Sequence, residues 1–199
     1  MTLRVVTVAS RNPGKVRELA ELARGALELR PLDGPATPEV EETGSSYLEN
    51  ALLKARAVAR FVGGPALADD SGLEVDALGG APGLRSARYA GPEASDADRC
   101  RALLAELEGA IDRRARFRCA LALVDGERVW TAEGVLEGEI AHAPRGRGGF
   151  GYDPIFAVPE LGGRTLGEVA SEEKRRVSHR ARAMRALLER LGDVAAGSR

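Results

Sequence analysis

Two adjacent acids, Asp69 and Asp70, stand at the end of the short apolar run of residues 65–68. Adjacent carboxylates repel each other and are costly to bury, so their position after an apparent buried strand indicates a bound cation. The ends of strands in α/β sheets are also where ligands bind. Because Asp, Ser and Gly are turn residues, an ordinary turn over Asp69-Asp70-Ser71-Gly72 is the alternative that the sequence leaves open.

A second candidate segment lies between a predicted strand and a predicted helix. Asn12 is a suitable N-cap and Pro13 a suitable first helical residue. The N-terminus of a helix attracts phosphate through its unpaired N–H groups and its dipole, and Lys15 adds a full charge. This segment matches neither the GxxxxGK[ST] motif nor the GxGxxG motif. Phosphate binding and a plain capped surface helix therefore remain the two interpretations of Ser10, Arg11, Asn12, Pro13, Gly14 and Lys15.

The Glu41-Glu42-Thr43-Gly44 segment places two acids in a loop before the next predicted helix. These acids can face a metal ion, or they can be solvated residues that favour a helix N-terminus. Asn50 and Lys54 are four residues apart on that helix and share a face, so Lys54 is either a phosphate ligand or a surface lysine. The chain has only two histidines, so oxygen ligands and hence Mg²⁺ are expected at any metal site.

Two further segments combine unusual residue types. Phe150 and Tyr152 lie among glycines in a chain with 4% aromatic residues, a pattern that suits stacking on a base or a hairpin with two buried rings. Residues 174–180 read Lys-Arg-Arg-Val-Ser-His-Arg. This basic run is either a solvated helix face or nucleic-acid patch, or a set of donors for a phosphate and a base edge. Ser178 is a possible cap for a new helix.

The elements that must position these residues follow from hydrophobic periodicity and from turn and capping signals. The order βαβαβ, followed by a hairpin and closing helices, indicates an α/β fold with a mixed sheet. Strands are predicted at 3–9, 26–30, 65–68, 115–124 and 127–137, with a hairpin at Asp125-Gly126 and a short strand and turn within 151–160. Helices are predicted from Pro13 to about Gly25, over 45–62 and 94–108, and from Ser171 onward, with loops at 31–44 and 144–149.

Composition narrows the class of protein. The 199 residues carry a net charge of −1, so there is no overall basic field to attract a nucleic-acid polymer. No apolar stretch is long enough to span a membrane, and the N-terminus lacks the pattern of a signal peptide. Cys100 and Cys119 lack metal-like spacing and are predicted to be reduced core thiols. These features predict a cytoplasmic protein that binds neither membranes nor nucleic acid.

Taken in order, the motifs resemble those of a known enzyme family. They are the [ST]-x-N-x-x-K signature at Ser10–Lys15, Glu42-Thr-Gly, the Glu49-Asn50-Ala51…Lys54 run, ADDSGL, LGGAPG, SARYAG, GGFGYDPIF and SHR. Together they closely resemble the inosine triphosphate pyrophosphatase family, from Val5 to about Leu191. Each motif is moderately specific, and their ordered occurrence makes a chance match very improbable.

This resemblance implies an Mg²⁺-dependent enzyme that cleaves ITP, dITP and XTP between the α- and β-phosphates. The products are a nucleoside monophosphate and pyrophosphate, so the enzyme removes deaminated purines from the nucleotide pool. The resemblance also implies a homodimer and an elongated two-lobed α/β fold, with a twisted mixed sheet flanked by helices and the active-site cleft between the lobes. We expect a single such domain over residues 1–199.

The resemblance also implies roles for individual residues. Asp70 is expected to be the general base and a metal ligand, and Glu42 a second metal ligand. Attack at phosphorus builds negative charge, which Lys15, Lys54 and Lys174 are expected to neutralise. Arg180 or a backbone N–H is the candidate donor to the 6-keto oxygen of the base, where adenine offers an amino group instead. The remaining expected contacts are Ser10–Lys15, Ser71 and Lys174 for phosphate or sugar, and Phe150, Gly151, Tyr152, Asp153, His179 and Arg180 for the base.

Two other functions are compatible with parts of the sequence. A nucleotide sensor without turnover would keep the binding residues, although intact Glu42, Asp70 and Lys15 disfavour it. A nucleic-acid-binding protein would use Arg145, Arg147 and the basic cluster at 174–182, which the net charge of −1 disfavours.

Overall fold

The computed structural model describes residues 4–32 and 38–197. Within them the chain forms seven strands and five α-helices, with short 3₁₀ turns between some of them. The strands are β1 (Arg4–Val8), β2 (Leu27–Pro31), β3 (Ala66–Val75), β4 (Arg114–Asp125), β5 (Arg128–Ile140), β6 (Phe156–Val158) and β7 (Arg164–Thr165). The helices are α1 (Pro13–Leu22), α2 (Tyr47–Val62), α3 (Asp96–Glu106), α4 (Ser171–Val177) and α5 (His179–Gly197).

All seven strands belong to one sheet in the order β2-β1-β3-β4-β5-β6-β7. The pairs β1–β2 and β1–β3 are parallel, whereas β5–β6 and β6–β7 are antiparallel. In the first pair, Val6 lies opposite Leu29. The predicted α/β class with a mixed sheet flanked by helices is therefore confirmed.

The chain divides into two compact units, to which β3, β4 and β5 each contribute one part of their length. The first unit comprises Met1–Asp70, Cys119–Gly134 and His179–Arg199, and the second comprises Ser71–Arg118 and Val135–Ser178. The expectation of a single domain over 1–199 stays a prediction.

In the first unit, helices pack against both faces of the sheet. Neighbouring strand residues point to opposite sides, so both sets of side chains are buried. On one face, strand residues such as Leu67 and Leu121 pack with Leu19 of α1 and Met184 of α5. On the other face, the strands present mainly alanine to α2, namely Ala66, Ala68, Ala120 and Ala122 against Ala51, Ala55 and Val58. Small side chains on both surfaces bring the α2 backbone close to β3.

In the second unit, one sheet face is apolar and the other carries ion pairs. Leu103 of α3 packs in a buried cluster with Leu73, Phe117 and Phe156. On the opposite face, Arg118 contacts Glu74 at 2.9 Å and Arg116 contacts Asp76 at 2.8 Å. These pairs are partly exposed, and solvent-exposed ion pairs contribute about 0–1 kcal/mol each.

Most element boundaries agree with the sequence predictions, and local signals explain why. The Asn12 side chain accepts hydrogen bonds from the N–H groups of Gly14 and Lys15 at 2.9 and 3.1 Å, so the predicted cap of α1 is confirmed. The predicted helical tail is interrupted at Ser178, whose extended backbone separates α4 from α5, as the capping role suggested.

Two turn predictions are corrected by the structure. The segment Asp69-Asp70-Ser71-Gly72 is not a turn but the middle of β3, which continues to Val75. Leu73 and Val75 are fully buried, and the burial of these side chains outweighs the turn preference of Ser and Gly. The hairpin turn is Gly126-Glu127, one residue later than predicted, because Asp125 still belongs to β4. In the predicted loop 31–44, residues 33–37 lie outside the described part of the chain and 38–44 form no helix or strand.

Candidate active site

Asp69 and Asp70 lie on opposite faces of the sheet because they are neighbours within a strand. Asp69 points to the side of Leu67, where α1 and α5 pack, and Asp70 points to the side of Ala68, where α2 packs. Their partners confirm this division, since Asp69 pairs with residues of α1 and α5 and Asp70 with residues of α2. The strand thereby separates two carboxylates that the sequence had placed side by side.

The Asp69 carboxylate is the centre of a buried network of charges. Lys15 Nζ lies 2.6 Å from Oδ1, and Arg180 Nε lies 2.7 Å from Oδ2. Arg180 Nη1 also contacts Glu18 Oε2 at 2.5 Å, and Cys119 Sγ donates to Asp69 Oδ2 at 3.2 Å. The side chain of Asp69 is 0% exposed and that of Arg180 is 2% exposed, so this network lies away from solvent.

The charges of this network fix the protonation states inside it. Burial opposes the ionisation of Asp69, but Arg180 and Lys15 outweigh that effect and hold its pKa well below the ordinary value. Burial, together with Asp69, raises the pKa of the Cys119 thiol well above its ordinary value. These shifts favour the ionised form of Asp69 and the protonated form of the Cys119 thiol, which donates to it.

The Asp70 carboxylate belongs to a second cluster, centred on the Lys54 ammonium group. Lys54 Nζ lies 2.6 Å from Asp70 Oδ1, 3.0 Å from Glu42 Oε1 and 2.9 Å from the backbone oxygen of Asp69. The side chains of Lys54, Asp70 and Glu42 are 15%, 10% and 27% exposed. The predicted metal ligands and a predicted phosphate ligand are thus brought together at one point of the first unit.

Asn50, one helical turn before Lys54, connects the acidic loop to this cluster. Its Nδ2 lies 3.5 Å from Asp70 Oδ2, and its Oδ1 accepts a hydrogen bond of 2.8 Å from the Gly44 N–H. A Cβ atom at residue 44 would lie 2.7 Å from Asn50 Oδ1 and from Glu49 Cβ, so the loop that carries Glu42 needs glycine there. The spacing of Asn50 and Lys54 was the sequence signal for this contact.

The pKa shifts in the second cluster favour proton transfer at Asp70. Burial raises the pKa of Asp70, and Lys54 opposes this effect without cancelling it. Burial lowers the pKa of Lys54, but Asp70 and Glu42 outweigh it, so the lysine stays charged. A carboxylate whose pKa lies closer to the working pH is a more effective general base.

The oxygen ligands of this cluster suit a magnesium ion whose remaining ligands come from the substrate and water. Among residues 4–32 and 38–197, no three His, Cys, Asp or Glu side chains are grouped for a metal. Mg²⁺ in nucleotide enzymes uses one or two carboxylates and takes its other ligands from phosphates and water. Glu42 and Asp70 supply those two carboxylates, with the Asp69 carbonyl beside them.

The predicted phosphate loop is a capped helix start beside the Asp69 network. Asn12 already accepts from the N–H groups of Gly14 and Lys15, and its own N–H donates to Ser10 Oγ at 3.2 Å. Residues Arg11, Asn12 and Pro13 are exposed. Phosphate binding by this loop stays a prediction.

In the second unit, Phe150, Asp153 and Lys174 form one cluster. Lys174 Nζ contacts Asp153 Oδ2 at 2.5 Å and lies 4.8 Å from the centre of the Phe150 ring. Asp153 Oδ2 also accepts from the Phe150 N–H at 2.9 Å. A Cβ on Gly149, whose φ is +73°, would lie 1.9 Å from the same oxygen. Asp153 therefore sets the course of the loop that carries Phe150.

The two aromatic residues of this loop differ in environment. Tyr152 is buried, and its hydroxyl donates to the Ser86 carbonyl at 2.9 Å, so it belongs to the core of the second unit. Phe150 is half-buried, which leaves part of its ring available for contact with a ligand.

Ser71, at the start of the second unit, is also half-buried.

Sequence reasoning missed two residues of α3 that hold the Gly151 peptide. The Gly151 N–H donates to Asp96 Oδ2 at 2.6 Å, and Cys100 Sγ lies 3.4 Å from the Gly151 oxygen. Asp96 also pairs with Arg99. Periodicity places Asp96 only near the start of the helix predicted over 94–108, and nothing in the sequence shows that it contacts a residue 55 positions away.

We expect Asp96→Asn to loosen this loop, because a neutral amide is a weaker acceptor for the Gly151 N–H than a carboxylate. Hydrogen exchange at residues 149–153 should become about tenfold faster, which corresponds to a loss of about 1.4 kcal/mol. Asp98→Asn is the matched control, since Asp98 lies in the same helical turn but bonds to Ser95. Equal exchange in the two variants would show that Asp96 does not hold the loop.

All three lysines of the chain lie in these clusters, and the sequence predictions did not use this signal. Only three of the 29 basic residues are lysines, namely Lys15, Lys54 and Lys174. Each contacts a carboxylate, and their side chains are only 17%, 15% and 7% exposed. Lysine offers a compact point charge where arginine offers a planar fork, and a compact charge suits these three partly or largely buried positions.

The remaining predicted residues lie at the start of α5. His179 is 4% exposed and Arg180 1% exposed, and both belong to the first unit. Arg180 uses Nε and Nη1 for Asp69 and Glu18. Contact of either residue with a purine base stays a prediction.

Comparisons with known proteins identify the family of the chain. The profile of the Ham1 family matches residues 6–190 of the chain. A dITP/XTP pyrophosphatase of Geobacillus kaustophilus is 49% identical, with 98% of each chain covered. A dITP/XTP pyrophosphatase of Methylococcus capsulatus is 52% identical, with 98% of this chain and 99% of the relative covered.

Solved structures show the same fold. A HAM1 protein from Coxiella burnetii superposes with a TM-score of 0.84 at 45% identity, covering 96% of this chain and 100% of the other. A nucleoside-triphosphatase / dITP/XTP pyrophosphatase from Mycobacterium abscessus gives a TM-score of 0.73 at 48% identity, covering 92% and 98%. The likeness extends over nearly the whole length of the chain.

Proposed function

This chain belongs to the Ham1 family, and we propose that it hydrolyses ITP, dITP and XTP to the nucleoside monophosphate and pyrophosphate. The observation that carries the proposal is the convergence of Glu42, Asp70 and Lys54 on one point of the first unit. Carboxylates that hold a metal ion or act as a base, and cationic side chains that neutralise phosphate charge, are recurring components of sites for phosphoryl transfer. Relatives about half identical over nearly their full length bear the name dITP/XTP pyrophosphatase.

The proposal includes Mg²⁺ as the cofactor and Glu42 and Asp70 as its protein ligands. Bound Mg²⁺ supplies positive charge to the phosphoryl oxygens as negative charge develops there. The fit of two carboxylates to the coordination habits of Mg²⁺ supports this assignment.

Asp70 acts as the general base in the proposed reaction. It takes a proton from a water molecule whose oxygen bonds to the α-phosphorus of the triphosphate. The bridging P–O bond breaks, and pyrophosphate leaves with the electron pair. The raised pKa of Asp70 supports this role, because a more basic carboxylate accepts the proton more readily.

The other site residues are proposed to bind the substrate. Lys15, Lys54 and Lys174, with residues 10–14 and Ser71, neutralise or bind the phosphates and the sugar. Phe150, Gly151, Tyr152, Asp153, His179 and Arg180 form the contacts with the base. A donor aimed at the 6-keto oxygen would lose its partner when adenine is bound, and leaving a buried donor unpaired costs about 1–3 kcal/mol.

The decisive experiment measures pyrophosphate release from ITP, XTP, ATP and GTP in the presence of Mg²⁺. ITP and XTP should be hydrolysed at least about tenfold faster than ATP, given the cost of an unpaired donor. Chelation of Mg²⁺ with EDTA should abolish the reaction, and added Mg²⁺ should restore it. Equal rates for ATP and ITP would contradict the proposed specificity, and release of orthophosphate alone would contradict the proposed bond.

The same experiment separates the enzyme from the two other interpretations. Tight binding of ITP without product would indicate a nucleotide sensor. Binding to DNA or RNA with a steep dependence on salt would indicate a nucleic-acid-binding protein.

The proposal also places the enzyme in the cytoplasm as a homodimer. Both cysteines are buried free thiols, which agrees with a reducing compartment. Among the described residues, no helix has the length and apolar character that crossing a membrane requires. Sedimentation equilibrium tests the dimer, and a mass of one chain would contradict it.

A further inference from the structure

The Lys54 ammonium group occupies the space between the proposed metal ligands. Its three oxygen neighbours, Asp70 Oδ1, the Asp69 carbonyl and Glu42 Oε1, lie at 2.6, 2.9 and 3.0 Å. An ammonium group has three N–H donors, so each neighbour can accept one hydrogen bond. The side chain is coordinated like an ion, by two carboxylates and a carbonyl.

We propose that Lys54 is a tethered cation that holds Glu42 and Asp70 together and must withdraw before these carboxylates can bind Mg²⁺. The inference rests on the proposed function, which assigns Glu42 and Asp70 as metal ligands. Mg²⁺ binds oxygen ligands at about 2.0–2.1 Å, so an ion held by both carboxylates takes the place of the ammonium group. Lys54 and the metal therefore compete for the same oxygens.

The competition follows from the local charges. Without a cation, Glu42 and the largely buried Asp70 would repel each other. Lys54 removes most of this repulsion, which preserves the arrangement of the two carboxylates but weakens their attraction for a free metal ion. A triphosphate changes the balance, because its oxygens are new acceptors for the released ammonium group.

The side chain of Lys54 is suited to this exchange. Its backbone is fixed in the interior of α2, while its flexible stem allows the charged end to move. Arginine, which the chain uses for nearly all its other basic residues, would bridge two carboxylates with a rigid fork. Metal alone should thus bind weakly, and metal with nucleotide should bind more tightly because Lys54 then has phosphate oxygens to contact.

The test measures Mg²⁺ binding without nucleotide, by calorimetry, in four proteins. Lys54→Met should bind Mg²⁺ at least about tenfold more tightly than the natural protein, because its carboxylates lack a competing cation. Lys54→Arg should bind Mg²⁺ more weakly than the natural protein. Arg56→Met is the matched control, since Arg56 is an exposed residue of the same helix, and its affinity should equal that of the natural protein.

A second measurement uses the natural protein and so does not depend on the folding of a variant. The three lysines should give three resolvable ammonium signals by NMR. Titration with Mg²⁺ should shift the signal of Lys54 and leave that of Lys174, which is held by Asp153, unchanged.

The outcomes distinguish this inference from the proposed function. If the four proteins bind Mg²⁺ with equal affinity, or if the Lys54 signal does not respond to bound Mg²⁺, Lys54 does not compete with the metal. If none of them binds Mg²⁺ at millimolar concentration, even with ITP present, the proposed metal site itself is wrong, and the inference is overturned with it.

Discussion

Asp70→Asn is expected to lower kcat for ITP by about 10²–10⁴-fold, the usual contribution of a general base. Asparagine keeps the shape of the side chain and its acceptor oxygen towards Lys54, but it cannot take a proton from water. Binding of ITP should largely survive, because the phosphate and base contacts are unchanged. Steady-state kinetics and calorimetry with ITP measure the two effects separately.

Two controls make this result specific to the base. An excess of Mg²⁺ should not restore kcat, whereas a defect due only to weaker metal binding would be repaired. The variant should also unfold at nearly the same urea concentration as the natural protein, because the raised pKa of Asp70 means that burial makes its charge unfavourable in the folded state. Retained turnover in Asp70→Asn would refute the role of Asp70 as the base.

The sequence predicted most of the fold because its signals are local. Asn12 and Pro13 mark the start of α1, and the structure shows the predicted cap hydrogen bonds. Ser46 caps α2 one residue after the predicted start of that helix. Hydrophobic periodicity predicted both helices, since a period of 3.6 residues specifies a helical stripe within one segment.

The partners of the acidic pair could not be predicted, because they depend on contacts between distant segments. Arg180 is 111 residues from Asp69 in the sequence. The turn residues Ser71 and Gly72 suggested that the strand ends after Ala68, so the alternation that sends Asp69 and Asp70 to opposite faces was missed. Burial of Leu73 and Val75 decided the local structure, and burial is a property of the whole fold.

The different environments of the two acids explain why adjacent identical residues are given different roles. Asp69 is fully buried and contacts two cations that hold its pKa well below the ordinary value, so it is a poor proton acceptor. Asp70 is partly exposed beside one lysine, and its pKa is raised. The two environments lie on opposite faces of the sheet, because the two acids are consecutive residues of β3.

Asp69→Asn is accordingly expected to lower the free energy of unfolding by about 3–5 kcal/mol, the usual cost of removing one partner from a buried ion pair. The substitution removes the carboxylate that Lys15 and the buried Arg180 both contact. Urea denaturation of the natural protein and the variant measures the difference.

Asp70→Asn and Asp112→Asn are the matched controls, since each removes one carboxylate charge by the same chemical change. Asp112 contacts Arg114 at the surface, where a pair contributes about 0–1 kcal/mol. Asp112→Asn should therefore stay within about 1 kcal/mol of the natural protein. Asp70→Asn should do the same, because burial raises the pKa of Asp70 and makes its charge unfavourable in the folded state. If Asp69→Asn is no less stable than these two variants, the network around Asp69 does not support the fold. Burial and charge would then not explain why Asp69 and Asp70 have different roles.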